Sequence, residues 1–174
     1  MTEEGGCMAG AGVGLEFLGE SSAGRLSEIA RPIWMECYPG MIGREATELI
    51  FEDWQSEEAI RRQIREGYLY SFVMSDGEVA GYVCVRPEGR DLCISKVYVD
   101  AAHRGTGLGS RAISSLIEYG RGIGSERAYL HVNKKNAQAI RAYEANGMEI
   151  VSSRTVPFRD GIVIDDYVME YRYV

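Results

Sequence analysis

The chain has 174 residues, a formal net charge of −7 and a pI near 5.0, with 45% hydrophobic and 26% charged residues. This composition is typical of one soluble domain, and its acidic balance argues against nucleic acid as a partner, because such sites need clustered lysine and arginine. Since no cysteine or histidine spacing suits a metal and no apolar run reaches the about 18 residues of a membrane span, we expect a cytoplasmic protein without a metal or a membrane partner.

The first third of the chain predicts a short strand and then helices. Residues 1–13 are rich in glycine and alanine and predict a flexible tail ahead of a single domain over residues 14–174. A strand is expected at 14–20, followed by a helix from Ser22 that Pro32 kinks or divides. Residues 38–43 predict a loop, and two further helices are expected over 44–54 and 56–67, the second capped by Ser56.

The remainder alternates between strand and helix patterns. Extended runs at 68–75, 78–86 and 90–100 predict an antiparallel meander with a tight turn at Asp76-Gly77. A glycine-rich loop, a helix ending near Gly122, a strand at 127–132, a helix over 136–146 and two final strands follow. The order predicts an α+β fold whose mixed, mostly antiparallel sheet has about seven strands and a central βαβ crossover, flanked by helices.

The loop HRGTGLGS, residues 103–110, raises the question of a bound phosphate. Gly105, Gly107 and Gly109 are spaced G-x-G-x-G, which is not the dinucleotide fingerprint G-x-G-x-x-G, and the Lys of a Walker A loop is missing. Backbone amides at a helix N-terminus beside Arg104 suit a pyrophosphate. A glycine-rich turn without a ligand remains open on these residues alone.

A second motif favours a phosphate site over a glycine-rich turn without a ligand. Arg104, Gly107 and Gly109 match the pattern Arg/Gln-x-x-Gly-x-Gly/Ala, and NAQAIRAYEANGM follows some 25 residues later. With these motifs the chain, from about Leu15 onward, resembles the GCN5-related N-acetyltransferase (GNAT) superfamily, with Met148 where that family usually has Phe. The resemblance implies two parallel strands that splay apart, with acetyl-CoA as cofactor in the gap.

The resemblance also implies roles for individual residues. Backbone groups of the strand before the loop would bind the pantetheine arm and the oxyanion, the loop would bind the pyrophosphate, and two side chains of the following helix would lie near the thiol. The implied cofactor residues are Val97, Tyr98, Val99, Arg104, Gly105, Gly107, Gly109, Ser110, Asn136 and Tyr143. Seven residues are almost two helical turns, so Asn136 and Tyr143 are expected on one face, roughly 10 Å apart.

Acetyl transfer to an amine needs a base and a proton donor for the departing thiolate. Tyr143 is the predicted acid, because a phenol with a pKa near 10 stays protonated at neutral pH. His131 is the predicted base, as the family implies at that strand position, although a carboxylate, a water or a merely packed histidine remain open. A ping-pong route through Cys84 or Cys93 lacks a paired base, so direct transfer in a ternary complex is expected.

The resemblance also implies an acceptor pocket formed by the early helices, their connecting loop and the final hairpin. Aromatic rings there would enclose an alkyl chain, and carboxylates would attract an ammonium group. The expected substrate-binding residues are Trp34, Glu36, Tyr38, Glu52, Asp53 and Asp166. We expect a small cationic amine such as a polyamine, with a peptide N-terminal amine or a non-catalytic acyl-CoA sensor as alternatives, and a homodimer through an edge strand.

Overall fold

The computed structural model describes residues 13–174 as a mixed sheet with helices packed on both faces. Helices occupy the first part, with the bounds Ala23–Cys37 (α1), Pro39–Ile42 (α2), Arg44–Gln55 (α3) and Glu57–Arg65 (α4). Three strands follow, Leu69–Ser75 (β1), Glu78–Glu88 (β2) and Asp91–Val99 (β3). The remaining elements are Leu108–Gly122 (α5), Arg127–Asn133 (β4), Ala137–Ala145 (α6), Glu149–Pro157 (β5) and Val163–Arg172 (β6).

The described strands form a six-stranded sheet in the order β1-β2-β3-β4-β6-β5. Strands β3 and β4 are parallel and joined by α5, whereas the other neighbouring pairs are antiparallel. The α+β class, the mostly antiparallel sheet and the central βαβ crossover are therefore confirmed. One apolar core lies under α5 and includes Leu116 and Leu130, and a second lies under α1 to α4 and includes Leu26 and Tyr82.

The expected seventh strand, at residues 14–20, is wrong. Within that segment only Phe17 forms a bridge, to Ser71 of β1. The Glu16 N–H donates to the Ser71 hydroxyl at 3.1 Å instead of to a backbone carbonyl, so the ladder is not extended. A 3-10 turn at Glu20–Ser22 then carries the chain away from the sheet.

Two predictions about the early helices also need correction. Pro32 does not divide α1, which is one helix from Ala23 to Cys37 with Pro32 exposed and buried side chains on both sides of it in sequence; a kink at Pro32 stays a prediction. The expected loop at 38–43 forms the short helix α2, which starts at Pro39, a residue whose fixed φ suits a first helical turn. The Ser56 cap of α4 is confirmed, since its hydroxyl accepts the Ala59 N–H at 3.2 Å.

The tight hairpin between β1 and β2 is confirmed. Asp76 and Gly77 have φ of 50° and 80°, as a turn with two left-handed residues requires. Cys84 and Cys93 lie on the strands of the next hairpin but are not paired in register, because Cys84 lies opposite Lys96 and Cys93 opposite Arg86. Both are free thiols.

The parallel strands β3 and β4 separate after a short paired stretch. Their pairing covers only Asp91–Cys93 against residues 127–129, so the backbone of β3 from Ile94 onward has a strand partner on the β2 side alone. A gap therefore opens in the middle of the sheet, with backbone N–H and C=O groups along its β3 edge.

The predicted tail, residues 1–13, lies outside the described residues except for Val13. The Val13 N–H donates to the Ser115 hydroxyl at 2.7 Å. Within residues 13–174 no helix is long and apolar enough to cross a membrane. The single domain over residues 14–174 and the homodimer stay predictions.

Candidate active site

A cavity of about 1120 Å³ lies where β3 and β4 diverge. It extends from the glycine loop, past α6, to the inner faces of α1, α3 and α4. The structure brings to its lining the predicted base His131 and all the predicted cofactor residues: Val97, Tyr98, Val99, Arg104, Gly105, Gly107, Gly109, Ser110, Asn136 and Tyr143.

The glycine loop is held in shape by its own side chains. The Asp100 carboxylate accepts the His103 N–H at 3.0 Å and lies 2.6 Å from the ring Nδ1, and the Thr106 hydroxyl donates to the His103 carbonyl at 2.6 Å. Gly105 and Gly107 have φ of 75° and 80°, a region that side chains disfavour. Gly107 is the N-cap of α5 and supplies no side-chain cap, so the first N–H groups of that helix can donate hydrogen bonds to an anion.

Arg104 connects the loop to the first helix. Its guanidinium donates to the Glu36 carboxylate at 3.0 Å and to the Val99 carbonyl at 3.3 Å. Glu36, predicted as an acceptor contact, is thus engaged by the residue predicted to bind the pyrophosphate. An anion at Arg104 would compete with Glu36 for the guanidinium.

Tyr143 is positioned by helix α6. Asn136 caps this helix through its side-chain oxygen, which accepts the Ala139 N–H at 3.3 Å, so Asn136 has a structural role as well. Tyr143 is buried in the second turn, and its hydroxyl donates to no group within residues 13–174. Burial raises the pKa of Tyr143 above its ordinary value near 10, so it is a protonated donor at neutral pH.

His131 and Asp166 lie on neighbouring strands, β4 and β6. His131 is partly exposed, and partial burial together with the charge of Arg154 lowers its pKa, so the imidazole is neutral at pH 7. Asp166 is 7% exposed and 3.5 Å from an Arg154 nitrogen, and burial raises its pKa. Both residues line the cavity, and either group is chemically suited to accept a proton.

The predicted acceptor residues divide into two groups. Trp34, Glu36, Tyr38 and Asp166 line the cavity. Glu52 lies instead in a separate depression of about 250 Å³, and Asp53 forms an ion pair with Arg159 at 2.9 Å. The face of α3 that turns inward carries Thr47, Ile50, Phe51 and Gln55, which directs residues 52 and 53 elsewhere.

Three polar residues of the cavity were missed from the sequence. Lys96, Gln55 and Gln63 are buried and line the cavity. We call the part of the cavity lined by these three residues its inner end. Lys96 left a signal, because buried Leu92 and Ile94 precede it at alternate positions of β3, where an inward lysine is unusual. The two glutamines lie on helices with ordinary amphipathic patterns and left none.

The family described as acetyltransferase (GNAT) matches residues 28–148. The chain belongs to this family, which confirms the resemblance inferred from the loop and α6 motifs. The match includes the diverging strands, the glycine loop and Tyr143.

Individual relatives agree with this assignment. The chain is 35% identical over 96 residues to the uncharacterised N-acetyltransferase Mb2688 of Mycobacterium bovis, an alignment that covers 54% of this chain and 60% of the relative. The PaiA N-acetyltransferase of Thermoplasma acidophilum, solved in complex with coenzyme A, has a TM-score of 0.73 at 17% identity, covering 92% of this chain and 99% of that one. YncA of Salmonella typhimurium, solved with acetyl-CoA, has a TM-score of 0.62 at 23% identity, covering 92% and 93%. These two structures share the fold.

Proposed function

We propose that the protein is an acetyl-CoA-dependent N-acetyltransferase that transfers the acetyl group directly to a primary amine. The observation that carries this proposal is the gap between β3 and β4, where an unpaired strand edge, an uncapped helix N-terminus and the Tyr143 hydroxyl line one cavity. Family membership supports acetyl-CoA as the cosubstrate.

The residues of the gap fit acetyl-CoA. The N–H groups at the start of α5, with Arg104, suit the diphosphate, and the β3 edge from Val97 to Val99 offers N–H and C=O groups to the pantetheine amides. When bound, the thioester supplies the activated acetyl group. A backbone N–H near Tyr98 or Val99 is the proposed oxyanion donor.

Proton transfer is assigned to two side chains. Tyr143 donates to the departing thiolate, since its hydroxyl is protonated and makes no competing hydrogen bond within residues 13–174. His131, neutral at pH 7, accepts the proton of the attacking ammonium, with Asp166 or a water as the alternative base.

Direct transfer is supported by the state of the cysteines. Burial raises the pKa of Cys84 to about 11 and also raises that of Cys93, so both remain thiols near neutral pH. A thiol is a poor nucleophile compared with a thiolate. An acetyl-cysteine intermediate is therefore disfavoured.

The acceptor side of the cavity suits a small amine. Trp34, Tyr38 and Tyr98 form an aromatic wall, with ring centroids of Trp34 at 4.5 Å from Tyr38 and 5.6 Å from Tyr98. Of the carboxylates expected to attract a polyamine, Asp166 pairs with Arg154, and Glu36 pairs with Arg104, for which the diphosphate would compete. A small primary amine remains our proposal.

Thiol release from acetyl-CoA over a panel of amines tests the proposal. Tyr143→Phe should lower kcat by about 10²- to 10⁴-fold, the range of general acid catalysis, with the Kd for coenzyme A unchanged. Tyr119→Phe is the matched control, because Tyr119 packs against Phe17 away from the cavity. Tight coenzyme A binding without amine-dependent release would favour a sensor instead, and full activity of Tyr143→Phe would remove its catalytic role.

A further inference from the structure

We propose that the inner end of the cavity binds a carboxylate of the acceptor through Lys96 and Gln55, so that the substrate is a small aminocarboxylate. This inference rests on the proposed acetyl transfer and specifies its acceptor class. Lys96 and Gln55 are buried donors of the same cavity, and three of the four acidic residues that line it are paired with arginine.

Lys96 is a buried ammonium group without a carboxylate partner. Its side chain is on β3, and the residue is 8% exposed. Nζ donates to the Gln63 Oε1 at 2.8 Å and to the Ser95 hydroxyl at 3.2 Å, and it lies 5.4 Å and 5.0 Å from the ring centroids of Tyr68 and Tyr70. Among residues 13–174 no acidic oxygen is within 4.0 Å of it. An ammonium has three donors, so one remains for an acceptor oxygen.

Gln55 supplies a second unsatisfied donor. The residue is completely buried, and its Oε1 accepts the Tyr82 hydroxyl at 2.7 Å. This hydroxyl itself accepts the Trp34 indole N–H at 3.1 Å, so its proton must go to Gln55, which fixes the orientation of the amide. Nε2 is then directed away from Tyr82 and has no partner among residues 13–174. A buried amide nitrogen left unpaired costs about 1–3 kcal/mol, which a ligand oxygen would recover once the amide shifts toward it, because the nitrogen itself is fully buried.

The charges around the cavity favour an anionic group at this end. Four acidic residues line it, and three of them are each within 4.0 Å of an arginine: Glu36 with Arg104, Glu88 with Arg86 and Asp166 with Arg154. The fourth, Glu66, is exposed. Burial lowers the pKa of Lys96, as expected for an ammonium without a counter-charge, and a bound carboxylate would supply that charge.

The aromatic wall places the amine toward Tyr143. Tyr98 follows Lys96 by two residues on β3, roughly 7 Å along the strand, and its hydroxyl is 2.8 Å from that of Tyr38. Both tyrosines and Tyr143 line the cavity. An acceptor held by its carboxylate at Lys96 therefore lies along Tyr98, with its amine directed to the gap between β3 and β4.

Matched amines test the charge requirement. We would compare kcat/KM for glycine, β-alanine, 4-aminobutanoate and L-phenylalanine with the values for their primary amides and for 1,3-diaminopropane. The acids should be preferred over their amides by 10-fold or more, because a charge-assisted hydrogen bond contributes about 1.5–3 kcal/mol. Lys96→Met should remove this preference, so that the ratio of kcat/KM for acid and amide falls to about one, whereas Lys134→Met, which loses an ion pair with Asp165 outside the cavity, should retain it.

A binding measurement separates this inference from the proposed activity. The Kd of the preferred acid for the protein loaded with coenzyme A is measured by calorimetry for wild type, Lys96→Met and Gln55→Glu. Binding that depends on Lys96 but without turnover of any amine would refute acetyl transfer and keep the carboxylate site. Turnover of acids, amides and diamine at equal rates by the wild-type protein would overturn the carboxylate site alone, even if the variants do not fold.

Discussion

Histidine 131 provides a residue-scale test of the proposed mechanism through pH. Since partial burial and Arg154 lower its pKa, the neutral base is the main form above about pH 6.5, the ordinary value. We expect kcat/KM to fall on the acid side with a midpoint below that value. His131→Asn should lower kcat/KM by about 10²-fold and remove this decrease at acid pH, the acid limb of the pH profile.

The alternative base gives the opposite result. If the limb and the rate survive in His131→Asn, the proton goes to Asp166 or to a water. Asp166→Asn would then distinguish the carboxylate from a water. If Asp166 is the base, this variant loses the decrease of kcat/KM at acid pH, and if a water is the base, the decrease remains. Circular dichroism of each variant checks that a loss of rate is not a loss of fold.

At the residue scale, the sequence could predict the groups that motifs carry and missed those that packing brings together. Arg104, the glycines and Tyr143 stand at fixed spacings, so the resemblance located them, and all line one cavity. Lys96 and Gln55 are distant in sequence, and only the tertiary structure shows that they line one cavity. Asp53 was expected at the acceptor pocket, but it lies on another face of α3 than the buried Gln55.

At the element scale, Gly81 determines how closely β2 approaches β3 beside the gap. A Cβ at this position would lie 2.0 Å from the Tyr98 carbonyl oxygen. Gly81→Ala must therefore displace β3 where its free edge is proposed to bind the pantetheine arm. We expect the free energy of unfolding to fall by about 1–3 kcal/mol and the Kd for coenzyme A to rise, measured by urea unfolding and calorimetry.

Gly122 is the matched control for this substitution. It is also free of a positive φ, but a Cβ there would meet nothing within 4 Å. Gly122→Ala should be neutral or slightly stabilising, since alanine is the better helix former. A Gly81→Ala variant as stable and as tight-binding as Gly122→Ala would show that β3 can shift without consequence.

Elements were predictable where local signals and tertiary packing agree. The hairpin at Asp76-Gly77 and the cap at Ser56 are local, and both were found. The segment at 14–20 has a strand pattern, but Ser71 takes one of its backbone donors, which only the fold reveals. Helix α1 tolerates Pro32 because its buried face outweighs one missing hydrogen bond.

At the scale of the whole molecule, net charge and local charge diverge. The carboxylates expected near the pocket predicted a cationic acceptor, yet most acidic residues of the cavity pair with arginine and a lysine is buried in its lining. Composition sums over the surface, whereas the substrate meets only the groups that line the site. The sequence therefore could not show which charged groups face the acceptor.

Buried tyrosines should make the protein unstable at alkaline pH. Burial raises the pKa of five interior tyrosines, Tyr38, Tyr70, Tyr82, Tyr98 and Tyr143. Their unfolded pKa is near 10, so above pH 10 the folded state binds more protons than the unfolded state, and stability falls as pH rises. Each such tyrosine contributes about 1.4 kcal/mol of lost stability per pH unit in that range. Lys96 has the opposite effect on stability. Because its pKa is lowered in the folded state, the unfolded state binds more protons below the ordinary lysine value near 10.5, and this contribution to stability rises with pH up to that value.

Urea unfolding at pH 9, 10 and 11, with phenolate absorbance on the native protein, measures this effect. Stability should decrease steeply above pH 10, and part of the phenolate signal of the eleven tyrosines should appear only as the chain unfolds. Tyr70→Phe should reduce the slope by one proton. Complete and gradual ionisation of a native chain at pH 11 would mean that water reaches these hydroxyls in the folded state, and the effect attributed to their burial would be wrong.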